Sequence, residues 1–89
     1  MYLHAGHDVM IREQKIVAIV DVWVLETSAA TRQFFDRLRA MGKVEGDLRQ
    51  AKSMVILEDG IYVSKISAST LARRGQISVL GGLIARTSE

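Results

Sequence analysis

The sequence predicts a small α+β domain in which a mixed or antiparallel sheet packs against one longer and one short helix. Three observations lead to this prediction. The run IVAIVDVWVL at 16–25 is apolar and rich in β-branched residues, as buried strands are. Two further apolar runs flank the turn-forming pair Asp59-Gly60, as in a β-hairpin. Between these strands, residues 27–42 carry apolar side chains at helical spacing.

Length and composition favour one domain that self-associates. With 89 residues and no cysteine, the chain has neither enough surface for two cores nor a disulfide to stabilise them. A hydrophobic content of 48% favours an oligomer that covers part of the apolar surface. The opening MYLHAGHDV lacks the regions of a secretory signal, and VLGGLIA at 79–85 is far shorter than the roughly 20 residues of a membrane span. We therefore expect a cytoplasmic protein without membrane contact.

The N-terminal third is predicted to contain three strands. MYLHA and DVMIR flank the turn-prone pair Gly6-His7 and are typical of a short hairpin. The run IVAIVDVWVL is apolar on both faces apart from Asp21, which indicates a central strand in a covered sheet or a strand at a subunit interface. Trp23 is accordingly predicted to lie in the core or an interface rather than to stack on nucleic-acid bases.

The longer helix is predicted to begin at the capping pair Thr27-Ser28 and to end at Gly42. At about 100° per residue, its apolar and basic side chains separate onto opposite faces. The face predicted to enter the core contains Ala30, Phe34, Leu38 and Met41, and the opposite face contains Arg32, Arg39 and Lys43. Asp36 lies near the basic face, within reach of either Arg32 or Arg39.

The second half is predicted to contain a short strand in KVEGD, a hairpin and a short helix. SMVILE and IYVSKI form the hairpin around Asp59-Gly60, a pair typical of type I′ turns. Ser67 caps a helix through ASTLARR that Gly75 ends. QISVLGGLIARTSE stays open between strand, loose helix and tail, so the predicted division is a domain of residues 1–75 and a C-terminal extension of residues 76–89.

No pattern of catalytic or cofactor-binding residues is present in the sequence. The glycine-rich motifs that hold nucleotides are missing. His4, His7 and Asp8 are close in sequence, but residues three apart in a strand point to opposite faces, which disfavours a metal site. We expect no catalysis, cofactor, metal or small-molecule substrate.

The remaining indication of function comes from the basic residues. Net charge is only +2, so the distribution of cations must carry the prediction. The candidates for contact with phosphates of double-stranded DNA are Lys15, Arg32, Arg39, Lys43, Arg49 and Lys52. The alternative is that each is an ordinary solubilising charge. Because aromatic residues are few, contact with the duplex backbone is favoured over single-strand recognition by stacking.

The order of motifs resembles that of the RemA/RemB-like extracellular-matrix regulatory proteins of bacteria, and most closely the RemB-type branch. The likeness covers residues 1 to about 75 and rests on MYLH, KIVAIVD, AKSMVIL and IYVSKISASTLARR. It implies a small cytoplasmic DNA-binding protein that regulates transcription of matrix genes. It also implies a fold related to LytTR-type DNA-binding domains and assembly into ring-shaped homo-oligomers.

The resemblance also implies where DNA contacts lie. Lys15 matches a basic residue that precedes the family's long strand, whereas Gln50 and Ala51 stand where one branch has adjacent arginines. Arg49 and Lys52 flank those two positions. Two functions therefore stay open: a transcriptional regulator that contacts duplex DNA as a homo-oligomer, or an oligomeric protein-interaction or scaffold module that has lost DNA binding.

Overall fold

A computed structural model describes residues 2–6, 8–75, 77–80 and 83–86. In chain order, the strands are β1 (Tyr2–Gly6), β2 (Val9–Arg12), β3 (Ile16–Asp21), β4 (Val44–Glu45), β5 (Ser53–Leu57), β6 (Gly60–Ser64), β7 (Ile77–Leu80) and β8 (Leu83–Arg86). The helices are α1 (Val24–Thr27), α2 (Ala29–Ala40) and α3 (Ala68–Gly75). The α+β class is confirmed, and the described residues contain one short helix, α1, that was not predicted.

The main sheet has the strand order β4-β6-β5-β3-β8-β7 and is mixed, because β4 is parallel to β6 and the other neighbours are antiparallel. Strands β1 and β2 form a separate hairpin, as predicted. Met54 and Val55 are consecutive in β5 and belong to different core clusters, since successive strand residues point to opposite faces. The sheet is therefore the middle of three layers.

One outer layer consists of the β1–β2 hairpin and α3, which supply Leu3, Ile11 and Leu71 to the core around Val55. Two fully buried serines attach this layer to the sheet. The Ser64 hydroxyl donates to the carbonyl of Ala5. The Ser53 hydroxyl donates to the carbonyl of Ile66 at 2.7 Å. Because both hydroxyls have acceptors, their burial leaves no unsatisfied donor.

The other outer layer is α2, whose predicted ends are confirmed. Ser28 Oγ accepts a hydrogen bond from the Thr31 amide at 3.2 Å, and Gly42 has the positive φ of +74° that favours glycine after a helix. Of the four residues of the predicted core face, only Leu38 is confirmed, since it packs against the core cluster that contains Phe35. Phe35 is 1% exposed and Leu38 is half-buried, while Phe34 is 40% and Met41 56% exposed. Ala30 is exposed as well.

The long strand is shorter than predicted because a turn at Asp21 interrupts it. Asp21 Oδ1 accepts a hydrogen bond from the Trp23 amide at 2.8 Å, a local bond that competes with strand pairing. The chain then enters α1 at Val24. The predicted burial of Trp23 in the core is wrong, since its side chain is 61% exposed.

The β5–β6 hairpin forms as predicted, but its turn is one residue earlier. Leu57 pairs with Gly60, so Glu58 and Asp59 are the two turn residues. Neither has a positive φ, which type I′ geometry requires, so the predicted turn type is wrong. Gly60 is needed for another reason: a Cβ there would lie 2.6 Å from the carbonyl oxygen of Lys43.

The predicted KVEGD strand is confirmed as β4, and the Ser67-capped helix as α3, in which Ser67 Oγ accepts from the Thr70 amide at 3.3 Å. The stretch that the sequence left open contains strands β7 and β8, and β8 pairs with the central strand β3. The division at residue 75 stays a prediction. Gly81 and Gly82 lie outside the described residues.

Candidate nucleic-acid interface

Two of the predicted DNA-binding residues, Lys15 and Lys52, lie at opposite ends of the sheet. We call the end at Glu58–Asp59 the turn end, and the end at the β4–β5 connection, residues 46–52, the loop end. The Lys15 carbonyl accepts from the Glu58 amide at 3.0 Å. The Lys52 carbonyl accepts from the Val22 amide at 3.1 Å, beyond the other end of β3. The six residues of β3 separate the two ends by roughly 20 Å.

Lys43 belongs to the turn end and not to the predicted helical stripe. Helix α2 stops at Ala40, and the positive φ of Gly42 redirects the chain, so helical spacing no longer applies at Lys43. The Lys43 carbonyl instead accepts from the Ile61 amide at 2.9 Å, beside the hairpin turn. The three-residue basic stripe is therefore reduced to Arg32 and Arg39.

Arg32 and Arg39 remain on one face of α2, two turns apart. Arg32 Nε lies 3.3 Å from a carboxylate oxygen of Asp36, so of the two pairings that the sequence allows for Asp36, the one with Arg32 forms. Both side chains of this pair are about half exposed, so the pair contributes little to stability. Arg39 forms no ion pair within the part of the chain that the structure describes, so its positive charge is available to a ligand.

Arg39 and Arg49 line the same open depression, whose volume is about 300 Å³. Its apolar lining comes from Phe35, Val44, Leu48 and Val63. The fold thus brings together two arginines that are ten residues apart in sequence, one from α2 and one from the loop end. Asp47 lines the depression as well, so two guanidinium groups and one carboxylate surround it.

The 46–52 loop is held at both ends. Gly46 has a φ of +102°, and a Cβ at this position would collide with the carbonyl of Val63. A single 3-10 turn follows at Leu48–Gln50, and Leu48 packs against the core. The Lys52 amide then donates to the carbonyl of Ser64 at 2.8 Å. These contacts fix the backbone that carries Arg49 and Lys52.

Arg49 is held by one carboxylate, that of Asp47. Asp47 Oδ1 accepts from the Arg49 amide at 3.0 Å and from Arg49 Nε at 3.1 Å, and Oδ2 accepts from Nη2 at 3.1 Å. The Arg49 side chain nevertheless remains 89% exposed. The hydrogen bonds from the Arg49 side chain, and then from its amide, lower the pKa of Asp47, and the nearby Lys65 lowers it further. The same side-chain hydrogen bond raises the pKa of Arg49.

Lys65 is a loop-end cation that the sequence reading missed. Ser53 of β5 pairs with Ser64 of β6. Lys52 precedes Ser53 and Lys65 follows Ser64, so the two lysines are neighbours just beyond the ends of these antiparallel strands. Both are exposed, and neither forms an ion pair with the described residues. The hairpin that the sequence predicts would reveal this neighbour of Lys52, but a turn at Asp59-Gly60 instead of Glu58–Asp59 shifts Lys65 out of register with Lys52.

The turn end has a different charge pattern. Lys15 Nζ lies 4.0 Å from Asp59 Oδ2. Lys43 lines an open depression of about 250 Å³ together with Glu45 and Asp59. Cations and carboxylates are therefore mixed here, so this end presents a weaker positive potential to a phosphate backbone.

Among the described residues, no group of three or more His, Asp or Glu side chains is arranged to hold a metal ion. His7, a member of the weak His4–His7–Asp8 cluster, lies outside the described residues, and His4 is exposed on β1. No helix in the described part of the chain is long and apolar enough to span a membrane.

Comparison with known proteins gives one finding at the level of the family. The family model described as "RemA-like: Extracellular matrix regulatory protein A-like" matches residues 2–74. The match includes both arginines of the depression, the 46–52 loop and Lys65. A search of curated proteins found no match.

Proposed function

The chain belongs to the RemA-like family of extracellular matrix regulatory proteins, and from this premise we propose that it is a transcriptional regulator that binds double-stranded DNA as a homo-oligomer. The family description supports a regulator of the extracellular-matrix or biofilm type. Cytoplasmic location, a LytTR-related fold, a ring-shaped assembly and kinship with the RemB-type branch are parts of the same proposal.

The observation that carries DNA binding is the group of cations at the loop end. It consists of Arg39, Arg49, Lys52 and Lys65. Three of these four residues form no ion pair with the described residues, and the fourth remains 89% exposed within its pair. Exposed unpaired cations on a rigid backbone are suited to displacing the counterions of DNA phosphates.

Self-association is supported by large apolar side chains on the surface. Val17 is 54%, Trp23 61% and Met41 56% exposed, and contacts between subunits would cover such side chains. Four cations per subunit make few phosphate contacts, so affinity per subunit is expected to be weak. Repetition of the loop end around an oligomer would raise the total affinity through effective concentration.

The second candidate function is a protein-interaction or scaffold module that has lost DNA binding. Two observations favour it: Gln50 and Ala51 stand where the resemblance implies adjacent arginines, and Asp47 offsets the charge of Arg49. In this case the exposed apolar side chains would be the functional surface, and the loop-end cations would only be solubilising.

A gel-shift titration on long duplex DNA, at about 50 mM and about 150 mM salt, separates the two functions. Light scattering on the same sample establishes whether the protein is a folded oligomer. The proposed function predicts binding that weakens steeply as salt rises. A folded oligomer that binds at neither salt concentration would leave the scaffold function as the better account.

A further inference from the structure

We propose that Arg49 recognises guanine in the major groove and that Asp47 positions it for this contact. The inference rests on the proposed DNA binding and goes beyond it, because it assigns base recognition to a residue predicted to contact the backbone. The observation is that one carboxylate accepts three hydrogen bonds from Arg49: from its amide, Nε and Nη2.

The hydrogen-bond donors that remain determine what Arg49 can bind. A guanidinium group has five N–H donors, and Asp47 takes one on Nε and one on Nη2. Three donors remain, two on Nη1 and one on Nη2. One of the Nη1 donors is parallel to the remaining Nη2 donor, and these two form the end-on pair of the guanidinium group. Two parallel donors of this kind match O6 and N7 of guanine, the most common specific contact of arginine in the major groove.

Charge favours a base over a phosphate as the ligand of Arg49. The Asp47 carboxylate offsets the guanidinium charge and repels a phosphate placed beside it. A guanine edge carries no net charge and offers two acceptors, so the Asp47 carboxylate repels it less than it repels a phosphate. Arg39, Lys52 and Lys65 have no carboxylate paired with them among the described residues, and they are the better phosphate contacts.

Rigidity and exposure both fit this role. The Arg49 side chain extends from a 3-10 turn whose cap is Asp47 itself, so one carboxylate fixes both the backbone and the guanidinium plane. With 89% of the side chain exposed, its free donors can reach a base edge. An orientation fixed before binding reduces the entropy that a flexible arginine would lose in the complex.

The test is a selection of bound duplexes from a random-sequence pool with the full-length protein, followed by affinity measurements on a selected duplex. The duplex is then remade with 7-deazaguanine, which lacks the N7 acceptor and leaves the phosphates unchanged. We expect a guanine to be enriched in the selection. We expect the 7-deazaguanine duplex to bind more weakly by about fivefold or more, given that a bidentate arginine–base pair discriminates by about five- to 140-fold.

Three variants separate a specific contact from general charge. Arg49→Lys keeps the charge without the rigid paired donors, and should weaken guanine enrichment while retaining most affinity for unrelated duplexes. Asp47→Asn keeps an oxygen acceptor for the Arg49 amide but removes the carboxylate charge. It should raise affinity for unrelated duplexes and lower the preference for guanine. Arg49→Ala should bind the normal and 7-deazaguanine duplexes equally.

Two results would overturn the inference, and they differ in what they leave standing. If the wild type binds DNA without enriching guanine, and Arg49→Ala weakens binding uniformly across sequences, Arg49 is a backbone contact and the proposed function survives. If the folded wild-type oligomer binds no duplex even at low salt, the proposed function fails and base recognition fails with it.

Discussion

The two ends of the main sheet both carry basic residues, but only the loop end concentrates positive charge. Lys15 and Lys43 at the turn end are accompanied by Asp59 and Glu45. The four loop-end cations are accompanied by two carboxylates. Asp47 pairs with Arg49, and Asp21 precedes Val22, whose amide donates to the Lys52 carbonyl. The balance of cations and carboxylates at each end, rather than the number of basic residues, separates a candidate phosphate-binding surface from an ordinary solvated one.

The largest expected effect comes from removing the unpaired loop-end cations. The triple variant Arg39→Ala, Lys52→Ala, Lys65→Ala should reduce affinity for duplex DNA by at least about tenfold at physiological salt. If each side chain meets one phosphate, the slope of log K against log salt should fall by about 2.7 per bound subunit. Fluorescence anisotropy on labelled duplex measures both quantities.

The matched control for that experiment is the double variant Lys15→Ala, Lys43→Ala at the turn end. Because both cations lie beside carboxylates, we expect less than about a threefold change in affinity. A loss as large as that of the triple variant would mean that the turn end also binds DNA. The distinction between the two ends would then fail.

A second effect concerns the apolar surface formed by α2 and the residue that follows it. Phe34 and Met41 were predicted to enter the core and are exposed instead. Replacing both with serine should shift the native mass measured by light scattering toward the monomer, with little loss of thermal stability. Gln33→Ser, an exposed substitution on the same helix, should leave the mass unchanged. An unchanged mass in the double variant would exclude this face as a subunit contact.

Two glycines give a smaller and more local comparison. Gly46→Ala adds a collision with the Val63 carbonyl to a positive φ, whereas Gly42→Ala has the same kind of φ and open space around it. We expect Gly42→Ala to lower the free energy of unfolding by about 1 kcal/mol. Gly46→Ala should lower it further, by up to about 3 kcal/mol. Equal losses in chemical denaturation would show that the 46–52 loop adjusts without strain.

The smallest effect is a change in titration at the loop end. Hydrogen bonds from Arg49 hold the pKa of Asp47 below its ordinary value, so Arg49→Ala should raise that pKa toward 3.8. Because the pKa of Asp47 is lower in the folded protein, its pair with Arg49 stabilises the folded state at pH values above the ordinary pKa of an aspartate. This stabilisation is lost as the pH falls through the lowered pKa of the folded state. Carbon-detected NMR of the Asp47 carboxyl measures the midpoint. An identical midpoint in both proteins would contradict the two hydrogen bonds from the Arg49 side chain to Asp47.

Local signals in the sequence predicted most of the elements. The caps at Ser28 and Ser67 and the glycine at 42 are as expected, because each depends on bonds within a few residues. Local signals do not predict which face of α2 packs against the sheet. Phe34 and Phe35 are adjacent and equally apolar, so only packing against the sheet determines which of them is buried.

The candidate site was harder to predict because its residues converge only in the folded chain. Arg39 and Arg49 lie on different elements, and no periodicity relates them. The proximity of Lys52 to Lys65 depends on strand register. A predicted turn that is one residue too late shifts this register and separates the two lysines. The role of Asp47 depends on a side-chain geometry that residue types alone do not specify.

Amide hydrogen exchange, measured with and without a saturating duplex, tests most directly whether the loop end is the DNA-binding surface. The prediction is that DNA slows exchange in peptides covering residues 46–52 and Lys65, and leaves peptides covering residues 57–61 unchanged. Slower exchange confined to residues 57–61, in a complex shown to contain DNA, would contradict the account.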